Sequence, residues 1–188
     1  MNKNSPVLGY FPNVLLISGS GSNVGKTTLS CLLIDRFKDT GVVAVKITPH
    51  WHRQDGDVDI LHHEENLLIL NEKRRDSRKD SSRMLRSGAN KVFFVQNTVD
   101  DGLLTAFPII LGAAGRSVPM IVESAALGKY LQPACHFHIV RPGTKKHKLQ
   151  NTGIPIDHII RFDGEAFDFD LERISWEEGG WRIGSCDP

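Results

Sequence analysis

One short segment, residues 19–27, limits the fold of this chain more than any other feature. It reads Gly-Ser-Gly-Ser-Asn-Val-Gly-Lys-Thr and lies between an apolar run at 13–18, typical of a buried strand, and a helical pattern at 28–38. Glycines at a strand-to-helix turn let successive backbone N–H groups point at one anion, and the helix start adds its positive dipole end. The segment therefore predicts a phosphate-binding loop in an α/β fold, and binding of a nucleoside triphosphate.

Residues within this loop are expected to take separate roles. Lys26 would reach the β- and γ-phosphates, and the Thr27 hydroxyl would ligate Mg²⁺. The spacing is unusual, because five residues separate Gly19 from Gly25 where the common motif has four. The nucleotide-binding residues predicted in the loop are Gly21, Ser22, Asn23, Val24, Gly25, Lys26, Thr27 and Thr28.

Length and charge fit one ordinary globular domain. The chain has 188 residues, of which 40% are hydrophobic and 24% charged, and its net charge is +1. We therefore expect residues 1–188 to form a single nucleotide-binding domain without a basic surface for nucleic acid. The three widely spaced cysteines predict no disulfide framework and favour a reducing, cytoplasmic setting. No apolar run has transmembrane length and no secretory signal is visible, so no contact with a membrane is expected.

Strand and helix patterns alternate along the chain, which predicts an α/β fold with a mostly parallel central sheet flanked by helices. The further core strands are predicted at 42–48, 91–96, 118–123, 136–140 and 158–162. The first helix would bury one face that carries Leu29, Leu32, Leu33 and Phe37.

The remaining segments are less regular. A helix is predicted at about 100–114, with a kink or a break at Pro108. Asp80 would cap a short helix that closes at Gly88. Residues 50–79 are polar and irregular, except for an apolar island at 66–71 that would be an extra strand or a hairpin arm. The predicted C-terminal β-hairpin pairs 172–176 with 181–183.

Two charged residues stand where core strands end. Glu123 closes the strand at 118–123, and open α/β sheets bind ligands at the carboxyl ends of their strands. We expect Glu123 to hold Mg²⁺ together with Thr27, and Lys26 and Glu123 to be the catalytic residues. Lys46 lies inside the apolar strand 42–48, where it would either meet a phosphate or an acidic substrate, or extend to solvent.

A histidine-rich segment follows the second strand. His50 and His52, with Asp55, Asp57 and Asp59 close behind, have side chains that suit a transition metal or acid–base chemistry. The prediction we favour is a mobile loop near the phosphate end of the site, because the segment leaves the carboxyl end of a core strand. Two basic runs, 73–79 and 145–148, are either solvated loops or loops that reach over an anionic ligand.

Four segments of the chain resemble one known family, the MobB-like P-loop proteins (molybdopterin-guanine dinucleotide biosynthesis protein B). The similar segments are 22–28, the lysine-to-histidine stretch 45–52, the Lys-Asp-Ser to Gly-Ala helix 79–89, and Val-Glu at 122–123, where Ser124 replaces the family's glycine. The resemblance implies Mg²⁺-dependent GTP binding with weak hydrolysis, Lys46 near the nucleotide, and a homodimer. It also implies an accessory role for a nucleotidyltransferase that attaches a nucleotide to molybdopterin.

A second resemblance competes with the first. The five-residue gap after Gly19, Lys46 after the second strand, and Glu123 are also similar to dethiobiotin synthetase and related ATP-dependent ligases. Those enzymes phosphorylate a carboxylate or carbamate and use the strand-end lysine near the reacting group. A third interpretation is a nucleotide-binding regulator without catalytic output. The base of the nucleotide, GTP or ATP, is left open because no Asn-Lys-x-Asp motif occurs.

Overall fold

A computed structural model describes residues 8–53, 58–99, 101–142 and 154–184. Its α-helices are α1 (Lys26–Phe37), α2 (Asp80–Arg86) and α3 (Gly102–Ala114). Its strands are β1 (Tyr10–Gly19), β2 (Val43–Thr48), β3 (Asp59–Glu64), β4 (Leu67–Asn71), β5 (Lys91–Asn97), β6 (Met120–Glu123), β7 (Gln132–Val140), β8 (His158–Arg161), β9 (Ile174–Glu177) and β10 (Gly180–Ile183).

Eight strands form one mixed sheet in the order β3-β4-β5-β2-β6-β1-β7-β8. The six strands from β5 to β8 in this order pair in parallel, and β4 and β3 extend the sheet by antiparallel pairing. The strands β9 and β10 form a separate antiparallel hairpin. The prediction of an α/β fold with a mostly parallel sheet and a C-terminal hairpin is confirmed.

The central sheet is buried on both faces, as its continuous apolar strands require. On β1, Leu15 and Ile17 belong to the cluster shared with α1 and α2, whereas Val14 and Leu16 belong to the cluster shared with α3. This alternation follows from the two-residue period of a strand. Helices therefore lie on both sides of the sheet.

Several local predictions need correction. The first helix begins at Lys26 and not at residue 28, because Gly25 takes a left-handed conformation (φ 105°) directly before it. Leu32 is 46% exposed, so it does not belong to the buried helix face. Of the kink or break predicted at Pro108, the break does not occur: α3 is continuous through Pro108, which is exposed.

The segment 50–79 contains more structure than its polar sequence predicts. The apolar island forms β4, the arm of a hairpin whose other arm is β3. The strand β3 was not predicted, because it lies at the sheet edge with most side chains exposed and so lacks an apolar alternation. Asp59 belongs to this strand, where Asn71 and Lys73 contact its carboxylate, and not to the loop after β2. Asp55 and Asp57 lie outside the described residues.

The terminal hairpin is joined to the core through Trp181. This side chain is 3% exposed, and its indole Nε1–H donates to the carbonyl oxygens of Asn13, on β1 at 2.9 Å, and Met120, on β6 at 3.2 Å. Its ring also packs edge-to-face on Phe37 at the end of α1. The hairpin thus covers the amino-terminal ends of two central strands.

We expect Trp181→Ala to lower the free energy of unfolding by about 3–5 kcal/mol, because the substitution leaves a large cavity and removes the indole hydrogen bonds to two carbonyl groups. Urea unfolding followed by circular dichroism measures this change. Trp51→Ala is the matched control, since Trp51 is 45% exposed. Equal effects of the two substitutions would show that the hairpin does not stabilise the domain.

Candidate functional site

The predicted phosphate loop occupies the turn between β1 and α1. The backbone N–H of Ser20 donates to the carbonyl oxygen of Ile139 on β7 at 2.9 Å, which anchors the start of the loop. Asn23 (φ 59°) and Gly25 (φ 105°) both take left-handed conformations. A backbone of this kind aims neighbouring N–H groups into one concave space.

The displaced glycine has a steric reason. A Cβ atom at Gly19 would lie 2.9 Å from Val24 Cγ2 and 3.0 Å from both Lys26 Cδ and the Ile139 carbonyl oxygen. A Cβ at Gly25 would lie 2.6 Å from the ring of Phe162. The turn therefore requires glycine at 19 and at 25, and the unusual spacing is a property of its geometry.

Three strand ends meet below the loop. Glu123 on β6 is in register with Lys46 on β2 and with Ile17 on β1, so the carboxyl ends of these strands are side by side. Glu123 is only 2% exposed, and its Oε2 accepts a hydrogen bond from the Thr27 hydroxyl at 2.8 Å. Its other oxygen, Oε1, accepts a hydrogen bond from Lys46 Nζ. Lys46 therefore lies in the site and does not extend to solvent.

Asp80 joins this group from α2. Its Oδ2 lies 2.9 Å from Lys46 Nζ, and its Oδ1 lies 3.5 Å from Arg83 Nη1. The expected helix-capping role is wrong: Lys79 holds the N-cap position, and no side chain caps the helix. Asp80 was not among the predicted site residues, because its position in the sequence does not show that it lies beside Lys46 in the fold.

The charges of the site shift one another's pKa values. Burial favours the neutral form of Lys46, but the carboxylates of Glu123 and Asp80 outweigh it and hold the Lys46 pKa above its ordinary value. Burial opposes ionisation of Asp80 too, yet Lys46, the Thr27 hydroxyl and Arg83 lower the pKa of Asp80 overall. Both groups of this pair are thus charged at neutral pH.

Lys26 lies across the loop. Its Nζ donates to the carbonyl oxygen of Gly21 at 2.5 Å. Burial lowers the pKa of Lys26; Glu123 and Asp80 raise it, Lys46 lowers it further, and the net shift is downward. An anion bound in the loop would offset the burial cost of this ammonium.

These groups line a cavity of about 410 Å³, which we call the loop cavity. It brings together most of the predicted loop residues with Lys46 and Glu123. Gly21 and Val24 are the two predicted loop residues that do not line the cavity, and the side chain of Val24 is buried in the core. The lining residues are Ser22, Asn23, Gly25, Lys26, Thr27, Thr28, Lys46, Asp80, Arg83, Glu123 and Phe162. Asp80, Arg83 and Phe162 were not predicted.

The histidine segment lies beside this cavity and not in it. His52 lines a neighbouring cavity, which we call the second cavity, and its backbone N–H donates to the buried Gln96 side chain. His50 is exposed. Within the described ranges, no group of three or more His, Cys, Asp or Glu side chains is placed to hold a metal ion.

A buried polar cluster supports the loop from β7. Ser18 Oγ lies 2.8 Å from His136 Nε2 and 2.9 Å from His138 Nδ1. Ser20 Oγ and His138 Nε2 are buried without a hydrogen-bond partner in the part of the chain that the structure describes. Unsatisfied polar atoms at the foot of a loop are positions where a ligand or water supplies the missing bond.

Comparisons of this chain with protein-family models, with curated proteins and with solved structures give no match. Among the described residues, no helix is both long enough and apolar enough to cross a bilayer.

The buried histidines generate a pH dependence of stability. Burial lowers the pKa of His138, and the charges of His136 and Lys26 lower it further. Below about pH 6.5, His138 is protonated in the unfolded chain but stays neutral in the folded chain until a lower pH. The free energy of unfolding therefore falls as the pH falls. One such group contributes at most about 1.4 kcal/mol per pH unit. We expect His138→Gln to flatten this slope between about pH 7 and 5.

Urea unfolding at several pH values measures the slope for the wild type and the variant. His63→Gln is the control, because His63 is exposed on β3. A wild-type slope in His138→Gln would contradict the assignment of the acid sensitivity to this residue, whatever the variant's stability at neutral pH.

Proposed function

We propose that this chain is a P-loop protein that binds a magnesium–nucleoside triphosphate complex in the loop cavity and hydrolyses it slowly. The observation that carries the proposal is the hydrogen bond from Thr27 to the buried Glu123, directly below a glycine loop that holds Lys26. A hydroxyl beside a carboxylate at the foot of an anion-binding turn is the donor set that a hard cation with phosphate ligands requires.

The residues present fit the two groups. The orphaned Ser20 hydroxyl and the left-handed turn at Asn23 and Gly25 are features that a phosphate chain would satisfy. Thr27 and Glu123 would hold the magnesium ion, Thr27 through its hydroxyl oxygen and Glu123 directly or through a water molecule. When bound, magnesium neutralises negative charge on the phosphates. Lys26 would hold the terminal phosphates by its ammonium group.

Slow hydrolysis follows from the bonding of the carboxylates. In the loop cavity as described, Glu123 accepts from Thr27 and Lys46, and Asp80 is paired with Lys46 and Arg83. A general base needs a free oxygen within reach of the proton that it removes. Asp80 is held between two cationic groups, and Glu123 is paired with Lys46 and would face the magnesium ion, so we assign neither as the base that activates a water molecule.

For the biological role we propose a GTP-binding accessory protein of molybdenum cofactor biosynthesis, acting as a homodimer beside a molybdopterin nucleotidyltransferase. The sequence resemblance of segments 22–28, 45–52 and 79–89 supports this role. The structure adds a physical link between the last two segments, because Lys46 of one pairs with Asp80 of the other.

One observation favours a second candidate, an ATP-dependent ligase of the dethiobiotin synthetase type. Lys46 lines both the loop cavity and the second cavity. A ligase needs such a residue, since the organic substrate and the terminal phosphate must meet at one point.

Lys26→Ala tests the nucleotide proposal. We expect GTP or ATP with Mg²⁺ to raise the thermal stability of the wild type, by about 2.7 kcal/mol at a hundredfold excess over the dissociation constant. The variant should lose this stabilisation and keep its fold, because Lys26 contacts the ligand and contributes little to the core. EDTA should weaken the effect in the wild type.

Lys38→Ala is the matched control, because Lys38 directly follows the same helix and pairs with Asp35 at the surface. It should respond to nucleotide like the wild type. Full stabilisation of Lys26→Ala by nucleotide would refute the loop assignment, and the GTP-to-ATP ratio in the wild type would identify the base.

Rates of nucleotide hydrolysis separate the two candidates. An accessory protein should hydrolyse GTP slowly, independently of small molecules, and retain a molybdopterin nucleotidyltransferase in a pull-down. A ligase should release ADP at about 1–1000 per second once a dethiobiotin-pathway substrate is added. Substrate-dependent ADP release would reject the accessory role.

A further inference from the structure

The second cavity has a volume of about 530 Å³ and shares Lys46 and Asp80 with the loop cavity. It lies between the segment that follows β2 and the segment that precedes α2. Its lining residues are Lys46, Thr48, His52, Arg53, Arg78, Lys79, Asp80, Ser81 and Phe94. Because the two cavities adjoin, a molecule in the second would lie next to whatever occupies the first.

Positive charge predominates in this cavity. Lys46, Arg53, Arg78 and Lys79 contribute cationic groups, and Asp80 is the one carboxylate among the lining residues. Asp80 is already paired with Lys46 and Arg83. Like charges brought together from separate segments repel one another, so stability of the fold alone does not favour this arrangement. An anionic ligand removes that repulsion.

The guanidinium groups of Arg53 and Arg78 differ in their bonding from those of the neighbouring arginines. Neither makes a hydrogen bond or an ion pair within the described ranges. The other arginines of the region are all engaged. Arg75 and Arg86 donate to backbone carbonyls, Arg74 pairs with Asp76, and Arg83 pairs with Asp80. The contrast singles out two planar donors that face one cavity.

The wall of the second cavity opposite the arginines is aromatic and can contact the apolar part of a ligand. Phe94 on β5 is partly buried, and the His52 ring lies near it, with centroids 6.3 Å apart and planes inclined by 37°. The bond from the His52 backbone to Gln96 fixes this wall. A flat or apolar portion of a ligand would contact these rings while its charged end meets the arginines.

We propose that the second cavity binds a small organic oxyanion, a phosphate monoester or a carboxylate, through Arg53 and Arg78. The guanidinium fork matches both anions, because each offers two oxygens in one plane. The two cavities share Lys46 and Asp80, but the proposed anion contacts come from Arg53 and Arg78, which line only the second cavity. Its role as the acceptor side of a transfer, or as a sensor beside the nucleotide, rests on the proposed function.

Isothermal titration calorimetry with phenyl phosphate and with phenylacetate tests the site, and benzyl alcohol is the neutral probe. We expect the wild type to bind at least one of the anions and not the alcohol. Arg53→Gln and Arg78→Gln should each weaken binding about ten- to a hundredfold, the loss of one hydrogen-bonded charge. Arg74→Gln is the matched control, since it removes a nearby surface charge outside the cavity, and it should bind like the wild type.

Lys26→Ala separates this proposal from the nucleotide proposal. It should keep the affinity for the aryl anion even where nucleotide binding is lost. If Lys26→Ala abolishes anion binding while both arginine variants keep it, the anion sits in the loop cavity and the second site is refuted. Failure of both anions to bind the wild type, or equal weakening by Arg74→Gln, refutes it as well. The anion that binds more tightly identifies the ligand as a phosphate monoester or a carboxylate.

Discussion

The buried carboxylate of Glu123 is the group on which the rest of the site depends. A buried charge without partners costs several kcal/mol, so its surroundings have to satisfy both oxygens. Thr27 does so from the first turn of α1, and Lys46 does so from β2. These bonds fix the start of α1 over the ends of the central strands. The connecting loop must then turn sharply, which explains the requirement for glycine at 19 and 25.

The central sheet could be predicted from the sequence because its strands are continuous apolar runs, which can only be buried. The segments 13–18, 91–96 and 118–123 overlap β1, β5 and β6. The edge strand β3 carries Asp59, His62 and Glu64 and has no buried face to produce a pattern. The exact start of α1 depends on the backbone angle at Gly25, a local constraint that apolar periodicity does not record.

Some residues of the candidate site could likewise be predicted from the sequence, and others could not. Lys26 and Thr27 follow from a contiguous motif, and Glu123 and Lys46 follow from their positions at strand ends, so the sequence places all four near one point. Asp80 and Arg83 on α2, and Phe162 directly after β8, reach the cavity through tertiary packing. These residues are far from the loop in the sequence, and no fixed spacing connects them to it. A single sequence therefore does not show that they lie near the loop in the fold.

The charges of the loop cavity explain why a metal ion belongs in the proposed function. The lining contributes three cationic groups, Lys26, Lys46 and Arg83, against the two carboxylates Asp80 and Glu123. Lys46 forms ion pairs with both carboxylates, and Arg83 forms an ion pair with Asp80. Among these three cations, Lys26 is then the one that is not paired with a carboxylate. Its single positive charge is too small to balance the negative charge of a triphosphate. A divalent cation held by Thr27 and Glu123 would supply the missing positive charge, and the bond between these two residues keeps their oxygens together until it arrives.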